Sequence, residues 1–262
     1  MNAGELISKL EQLAPPHMAL SWDNPGLICG RHDKEVRKIM IALDAAEETA
    51  ERAAEEGCDF ILTHHPMIFH PVSKVNDETP LGRKLLRLIR ADICCYAMHT
   101  NFDAAPGCMA DLVCERMGMR KEGPLEPAKG DDGKAEPFGI GFIGTTEEPL
   151  NCAALTALLR ERFGLNGAVY YDAGKPISRA AVCPGSGHGM LETAIRTKAD
   201  VLITGDMGHH DGMDALDAGI SLIDAGHFGL EHVFVGFMQN WIREHVPELT
   251  VLIDETDRRH FA

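Results

Sequence analysis

Cys58-Asp59-Phe60-Ile61-Leu62-Thr63 and Ala199-Asp200-Val201-Leu202-Ile203-Thr204 follow one pattern, an aspartate, three large apolar residues and a threonine. Neither run alternates polar with apolar residues, so each reads as a short strand buried on both faces. The first is preceded by Lys38-Ile-Met-Ile-Ala-Leu43 and a helical Ala/Glu run from Ala45 to Glu56, the second by Arg179-Ala-Ala-Val-Cys183 and a run from Met190 to Lys198. Both stretches therefore spell strand, helix, strand. Each then passes through a helix into a further apolar strand, Asp92-Ile-Cys-Cys-Tyr-Ala97 or Gly219-Ile-Ser-Leu-Ile-Asp224, and reaches a histidine, His99 or His227. Paired histidines follow the shared pattern in both copies, His64-His65 and His209-His210. The fold class implied is α/β, with mainly parallel sheets covered by helices. Open sheets of this kind place their sites in loops at the carboxyl ends of the strands.

Between the copies, Lys121 to Pro137 holds few large apolar side chains and many turn formers, which reads as an exposed linker or loop. It is followed by a glycine-rich strand, Phe138-Gly-Ile-Gly-Phe-Ile-Gly144, and a helix from about Asn151 to Phe163, with Asn151 as its N-cap. The expected organisation is a first α/β domain over 1–124 and a second over 125–234. The C-terminal segment 235–262 is expected to pack back onto the first.

The chain has 262 residues, 45% hydrophobic and 25% charged, enough for one large domain or two small ones. A formal charge of -15 makes the average surface repel phosphate backbones, so a nucleic-acid partner is not expected. The densest basic run, Arg83-Lys84-Leu-Leu-Arg87-Leu-Ile-Arg90, has the spacing of the solvated face of an amphipathic helix. Eight cysteines include no C-x-x-C, and several lie in apolar runs, as reduced core thiols would. No stretch approaches the ~18 apolar residues of a membrane span, and no secretory leader opens the chain. A cytoplasmic location is expected.

The residues with ligand chemistry fall on the expected strand ends. His64 and His65 follow an apolar strand, Asp103 sits in His99-Thr-Asn-Phe-Asp103 ahead of a turn, and His227 with Glu231 stands four apart where a helix begins. Four residues apart on a helix means one face, so His227 and Glu231 can chelate. Imidazole with carboxylate suits borderline divalent ions such as zinc, iron or manganese, and two ions need more donors than one His-x3-Glu pair offers. Each signal also has a plain structural reading: turn histidines bonded to backbone, an Asx-turn aspartate, a capped helix start with a stray histidine. Their joint occurrence on equivalent loops favours a metal site.

Trp22-Asp-Asn-Pro-Gly-Leu27, Thr63-His-His-Pro-Met-Ile-Phe69, His99-Thr-Asn-Phe-Asp103, Thr204-Gly-Asp-Met-Gly-His-His210 and Gly226-His-Phe-Gly-Leu-Glu231 occur in order over most of the chain. Together they resemble the NGG-interacting-factor-like family, described as dinuclear metal-centre hexameric proteins and labelled GTP cyclohydrolase type-two homologues. The resemblance implies two interlinked α/β domains, each with a mostly parallel or mixed sheet flanked by helices. It also implies metal ligands at His64, His65, Asp103, His227 and Glu231, and a toroidal homohexamer. Three positions depart from the family pattern: Cys108 where a second glycine is expected, Ala110 where asparagine is usual, and Leu230 in place of a small hydroxyl residue. Those departures put in question the hydrogen bonding behind the ligands, not the ligands.

The expected function is a hydrolase with two divalent ions per chain, zinc, iron or manganese, whose activated bridging water attacks a nucleotide or related small molecule. Glu231 is placed among the catalytic residues, and His99 is the candidate general acid or a residue bonded behind the ligands. His209 and His210 are lesser candidates. The loop Pro184-Gly-Ser-Gly-His-Gly189 could offer backbone N–H groups to a phosphate, but it fits no phosphate-loop pattern and reads better as a tight turn. The alternatives are a metal storage or delivery protein and a ring-shaped scaffold or regulator without turnover.

Overall fold

The structure is a computed structural model and describes residues 1–130 and 133–259. In chain order its strands are β1 (Gly26–Cys29), β2 (Lys38–Ala42), β3 (Phe60–Thr63), β4 (Cys94–Ala97), β5 (Arg120–Gly123), β6 (Glu126–Lys129), β7 (Ala135–Ile140), β8 (Phe142–Leu150), β9 (Val169–Tyr171), β10 (Ile177–Ser186), β11 (Val201–Gly205), β12 (Ser221–Asp224) and β13 (Thr250–Asp254). The chain divides into two compact units. One comprises Met1–Phe102 and Phe234–Thr256, the other Asp103–Val233 and the segment that starts at Asp257.

The first unit is built on a five-stranded sheet of order β1-β4-β3-β2-β13, in which β4, β3, β2 and β13 run parallel and β1 closes one edge antiparallel. All four residues of β3 and of β4 are buried, as their unbroken apolar runs require. Met40, Ala50, Ala53, Ile61, Leu88 and Cys95 join strands and helices in one apolar cluster. The helix Pro80–Ala91 is capped by Thr79, whose side chain accepts from the Gly82 N–H, and it ends on left-handed Asp92. Its basic face is paired with acids of the helix Glu47–Glu55, Arg83 with Glu47 and Arg87 with Glu51. Arg83 and Arg87 of the densest basic run are thus engaged by acids, and Lys84 donates to the Ala45 carbonyl.

The second unit carries a six-stranded sheet of order β5-β8-β10-β11-β12-β9, parallel across β10, β11 and β12 and antiparallel elsewhere. This unit begins at Asp103, whereas composition placed the boundary at 124. The helix Met109–Met117 turns Met109, Val113 and Met117 inward and packs on β5, β8 and β10, which fixes it to the second sheet. The expected linker over Lys121 to Pro137 is instead largely strand: β5 pairs with β8, and β6 forms a ladder with β7. Antiparallel pairing satisfies the backbone there with little help from side chains, and Leu125 between β5 and β6 is 1% exposed in the unit's core. Asp131 and Asp132 of that stretch, and residues 260–262 of the C-terminal segment, lie outside the described residues. The glycine-rich strand is two strands, β7 and β8, broken at Gly141, where φ is 62° and an added Cβ would meet the Val182 carbonyl.

The repeated sequence pattern has a repeated job. Asp59 accepts hydrogen bonds from the Arg37 and Lys38 N–H groups at the start of β2. Asp200 does the same for Ser178 and Arg179 at the start of β10. Each aspartate satisfies N–H groups that the neighbouring parallel strand leaves unmatched. The threonines that end the pattern also correspond: the Thr63 carbonyl accepts from Met98 N–H and the Thr204 carbonyl from Ala225 N–H. No helix among the described residues is long and apolar enough to cross a membrane, and all eight cysteines are free.

Candidate metal centre

In the first unit, the carboxyl ends of β3 and β4 bring three imidazoles together. His64, His65 and His99 each offer one ligand atom, and these atoms lie within 4.8 Å of one another. Sequence adjacency makes the neighbouring rings of His64 and His65 diverge from one strand end, and β4, parallel to β3, delivers His99 beside them. His64 is fully buried against Phe102 and Phe234.

How each ring is held decides what it can do. The Met98 carbonyl lies 2.7 Å from His64 Nδ1, and a carbonyl can only accept, so Nδ1 carries a proton and Nε2 is the ring's remaining ligand atom. His65 Nδ1 donates to Asp44 at 2.8 Å, and His99 Nδ1 to Asp23 at 2.7 Å. An imidazole tethered through Nδ1 to a carboxylate or carbonyl is the usual arrangement of a metal-binding histidine, because the tether fixes tautomer and orientation and raises the basicity of Nε2. Burial on its own would raise the Asp23 carboxyl, but hydrogen bonds from His99 and Thr100 outweigh it and bring the pKa down to about 2. Asp23 therefore remains an anion and acceptor. It also takes the Thr100 N–H at 3.0 Å, capping the helix Thr100–Ala104.

In the second unit, the carboxyl ends of β10, β11 and β12 assemble the other candidates. His227 opens the helix His227–Glu231, and its Nε2 stands 3.1 Å from Glu231 Oε2, as the four-residue spacing predicts. Its Nδ1 donates to Asp206 at 2.6 Å. Two lone-pair donors this close require a shared cation, either a proton or a metal ion. Asp103 and Glu231 each present a carboxylate oxygen, the two within 4.8 Å of one another. Glu231 is only 3% exposed, and a buried carboxylate is costly unless its charge is matched. Asp103 lies on the last turn of the helix Thr100–Ala104, where the sequence suggested a turn.

Two glycines make room for this arrangement. A Cβ on Gly185 would fall 2.2 Å from Glu231 Oε1, and one on Gly205 would fall 2.4 Å from the His227 backbone nitrogen. Gly185 belongs to the stretch considered for phosphate, whose first three residues, Pro184 to Ser186, are the end of β10 and not a turn, and its glycine has a packing reason: it admits the Glu231 carboxylate. The helix after that loop, Met190–Arg196, is only seven residues long. Cys183 stays a neutral thiol. Burial pushes it up, and the carboxylates of Asp103 and Glu231 push the same way.

His209 and His210 differ from the first pair. His64 and His65 are the first two residues after β3, whereas His209 and His210 begin the helix His209–Asp217 and are exposed, with Asp206, Met207 and Gly208 intervening after β11. The three departures from the family pattern, Cys108, Ala110 and Leu230, are all buried apolar positions of the second unit. Sequence reasoning missed Asp23, Asp44 and Asp206 as tethers. The available signal was position, since Asp44 and Asp206 come one or two residues after a strand end and Asp23 sits in the Trp22-Asp-Asn motif.

The donor set present, imidazole nitrogens and carboxylate oxygens with their tethers in place, fits a borderline divalent cation. Comparison with known proteins agrees in fold and kinship. The GTP cyclohydrolase 1 type 2 homolog of Clostridium perfringens is 34% identical over 88% of this chain and 87% of its own length. The protein of the same name from Campylobacter jejuni is 30% identical with both chains covered completely. Among solved structures, a hypothetical protein of Staphylococcus aureus superposes with a TM-score of 0.89 at 26% identity, covering 100% of this chain and 99% of that one. Reduced HcgD from Methanocaldococcus jannaschii gives 0.83 at 26% identity over 97% of each chain. The sequence profile that matches residues 1–259 is that of Duf34/NIF3 (NGG1p interacting factor 3), and the chain belongs to this family.

Proposed function

We propose that His64, His65, Asp103, His227 and Glu231 are the ligands of two divalent ions, and that the protein is a metal-dependent hydrolase of a nucleotide or related small molecule. The observation that carries the reading is the tethering of the imidazoles. His64, His65 and His227 each spend Nδ1 on a carbonyl or carboxylate, which aims the Nε2 lone pair at a cation. The name shared by the relatives, GTP cyclohydrolase 1 type 2 homolog, supports a nucleotide as the substrate class. When bound, the ions supply Lewis acidity and bring a water molecule toward its nucleophilic form near neutral pH. The protein's own residues orient and position. Asp23 engages His99 Nδ1, which leaves Nε2 as the atom that can take or return a proton at the reacting group. Glu231, buried, offers a carboxylate oxygen to a cation.

The test is to purify the protein, count bound metal per chain by elemental mass spectrometry, and screen nucleotides and phosphodiesters against an Asp103→Asn variant. Two metals per chain, with turnover that Asp103→Asn abolishes, is the expected result. Glu231→Ala should lower metal occupancy while the far-UV spectrum is unchanged. Metal retained with no variant-sensitive turnover on any substrate would replace this reading by metal storage or delivery.

A further inference from the structure

We propose that Trp22 and Phe69 form a stacking corner for a planar heteroaromatic ring, a nucleobase or close relative, beside His99. This names the substrate class of the hydrolase reading and rests on that reading for any chemistry after binding. Trp22 is 57% exposed and Phe69 44% exposed, although both are large aromatics that folding ordinarily buries. Their ring centroids stand 5.6 Å apart at 45°, and each meets the His99 ring nearly edge-on, at 6.1 and 6.2 Å.

The exposed rings sit on a fixed backbone. The Leu20 N–H donates to Thr100 Oγ1 at 2.9 Å, and the Asp23 N–H donates to the Leu20 carbonyl at 3.0 Å. Asp23, whose side chain is fully buried, accepts from His99 and Thr100. Asn24 Nδ2 donates to the Ile68 carbonyl at 2.7 Å, tying the Trp22 loop to the residue before Phe69. Hydrogen bonds on both sides of Trp22 hold an apolar ring in water next to imidazoles that can bind metal. Such pre-organisation lowers the ordering cost when a ligand arrives.

The geometry selects a flat occupant. Trp22 and Phe69 are neither parallel nor far enough apart to admit a ring between them, so the ligand lies on an outer face with its edge toward His99. An aliphatic chain would gain apolar burial on these faces but no stacking, and it has no polar edge to present to His99. A chain with a net charge of -15 offers a phosphate no general attraction away from the proposed metal ions, so a nucleoside without phosphate isolates what the aromatic corner contributes. A base stacked on Trp22 would also bring its polar edge toward His99, which a side chain from a second copy would merely seal.

The test uses intrinsic fluorescence. The chain has two tryptophans, and Trp241 stacks on His245, so Trp241→Phe leaves Trp22 as sole reporter. Guanosine and GTP are expected to quench it saturably, and ribose 5-phosphate is not. By calorimetry, Trp22→Leu and Phe69→Ala should each weaken guanosine binding about tenfold or more, while Trp22→Phe retains most of it. Metal content should be unchanged in all three. Ribose 5-phosphate binding as well as GTP, or guanosine affinity indifferent to Trp22→Leu, would overturn the proposal. So would a Trp22→Leu variant that changes only the sedimentation coefficient, since that marks a subunit contact, or a single-stranded oligonucleotide bound far more tightly than guanosine. Guanosine binding without hydrolysis of any nucleotide would support the stacking corner while removing the hydrolase reading.

Discussion

At the scale of single residues, the histidines are defined by what stands behind them. Asp44 and Asp206 hold His65 and His227 by Nδ1, at 2.8 and 2.6 Å. Changing such a tether typically costs about 10–100-fold in metal affinity. Asn is the informative replacement at Asp206, because that residue has a φ of 60° and asparagine tolerates the left-handed region. Asp44→Asn and Asp206→Asn should therefore each weaken zinc binding about 10–100-fold in competition with a chromophoric chelator, with little change in unfolding midpoint. Affinity equal to wild type would show that the aspartates do not orient these rings. Gly185 gives a second test. Gly185→Ala puts a methyl 2.2 Å from Glu231 Oε1 at a φ of 77°, whereas Gly107→Ala has the same φ of 77° with open space around it. Backbone strain alone costs on the order of 1 kcal/mol, so both variants should lose that much in urea unfolding. Only Gly185→Ala should also lose metal, and equal metal content in the two would remove Gly185 from the site. The ligand-type residues were legible in sequence because imidazole and carboxylate at strand ends are chemically conspicuous. Their tethers were not, since an aspartate just past a strand looks like any turn aspartate until the distances are known.

At the scale of elements, the repeated strand-helix-strand pattern is a repeated solution to one backbone problem. Asp59 and Asp200 each accept two N–H groups at the start of the preceding strand. A hydrogen bond to a charged acceptor contributes about 1.5–3 kcal/mol where it is sheltered, and these partly exposed carboxylates belong at the low end. Asp59→Ala and Asp200→Ala should thus each lower the stability of the chain by about 1–2 kcal/mol in denaturant titration. One variant silent and the other costly would mean that the two aspartates are not equivalent. The β3 and β11 strands were readable because burial on both faces leaves an unbroken apolar run. The β5, β6 and β7 strands were not, because antiparallel edge pairing needs backbone partners and few apolar side chains, and Pro127, Gly130 and Gly133 gave the stretch a loop-like composition. The histidine pairs illustrate the same limit. Counting along the chain equates His209-His210 with His64-His65, but an inserted turn after β11 moves the later pair onto an exposed helix start.

At the scale of the whole molecule, net charge is expected to oppose association between copies. We propose the six-copy ring that the sequence resemblance implies, in which each copy would carry a formal charge of -15. Like-charged copies repel over the Debye length, about 30 Å at 0.01 M salt and about 10 Å at 0.1 M. Apolar burial at subunit contacts is nearly indifferent to such changes, so assembly should strengthen as salt screens the repulsion. Sedimentation velocity at 0.15 M salt is expected to give a single species of six times the 28.6 kDa chain mass. Lowering the salt about tenfold lengthens the screening distance roughly threefold and should bring smaller species into view. Chelation at fixed ionic strength separates this effect from metal-linked assembly: dissociation on chelation alone would assign the ring to the metal ions, not to apolar contact. A monomer at every salt concentration would sink the hexamer and leave the metal chemistry of the single chain to be tested without it.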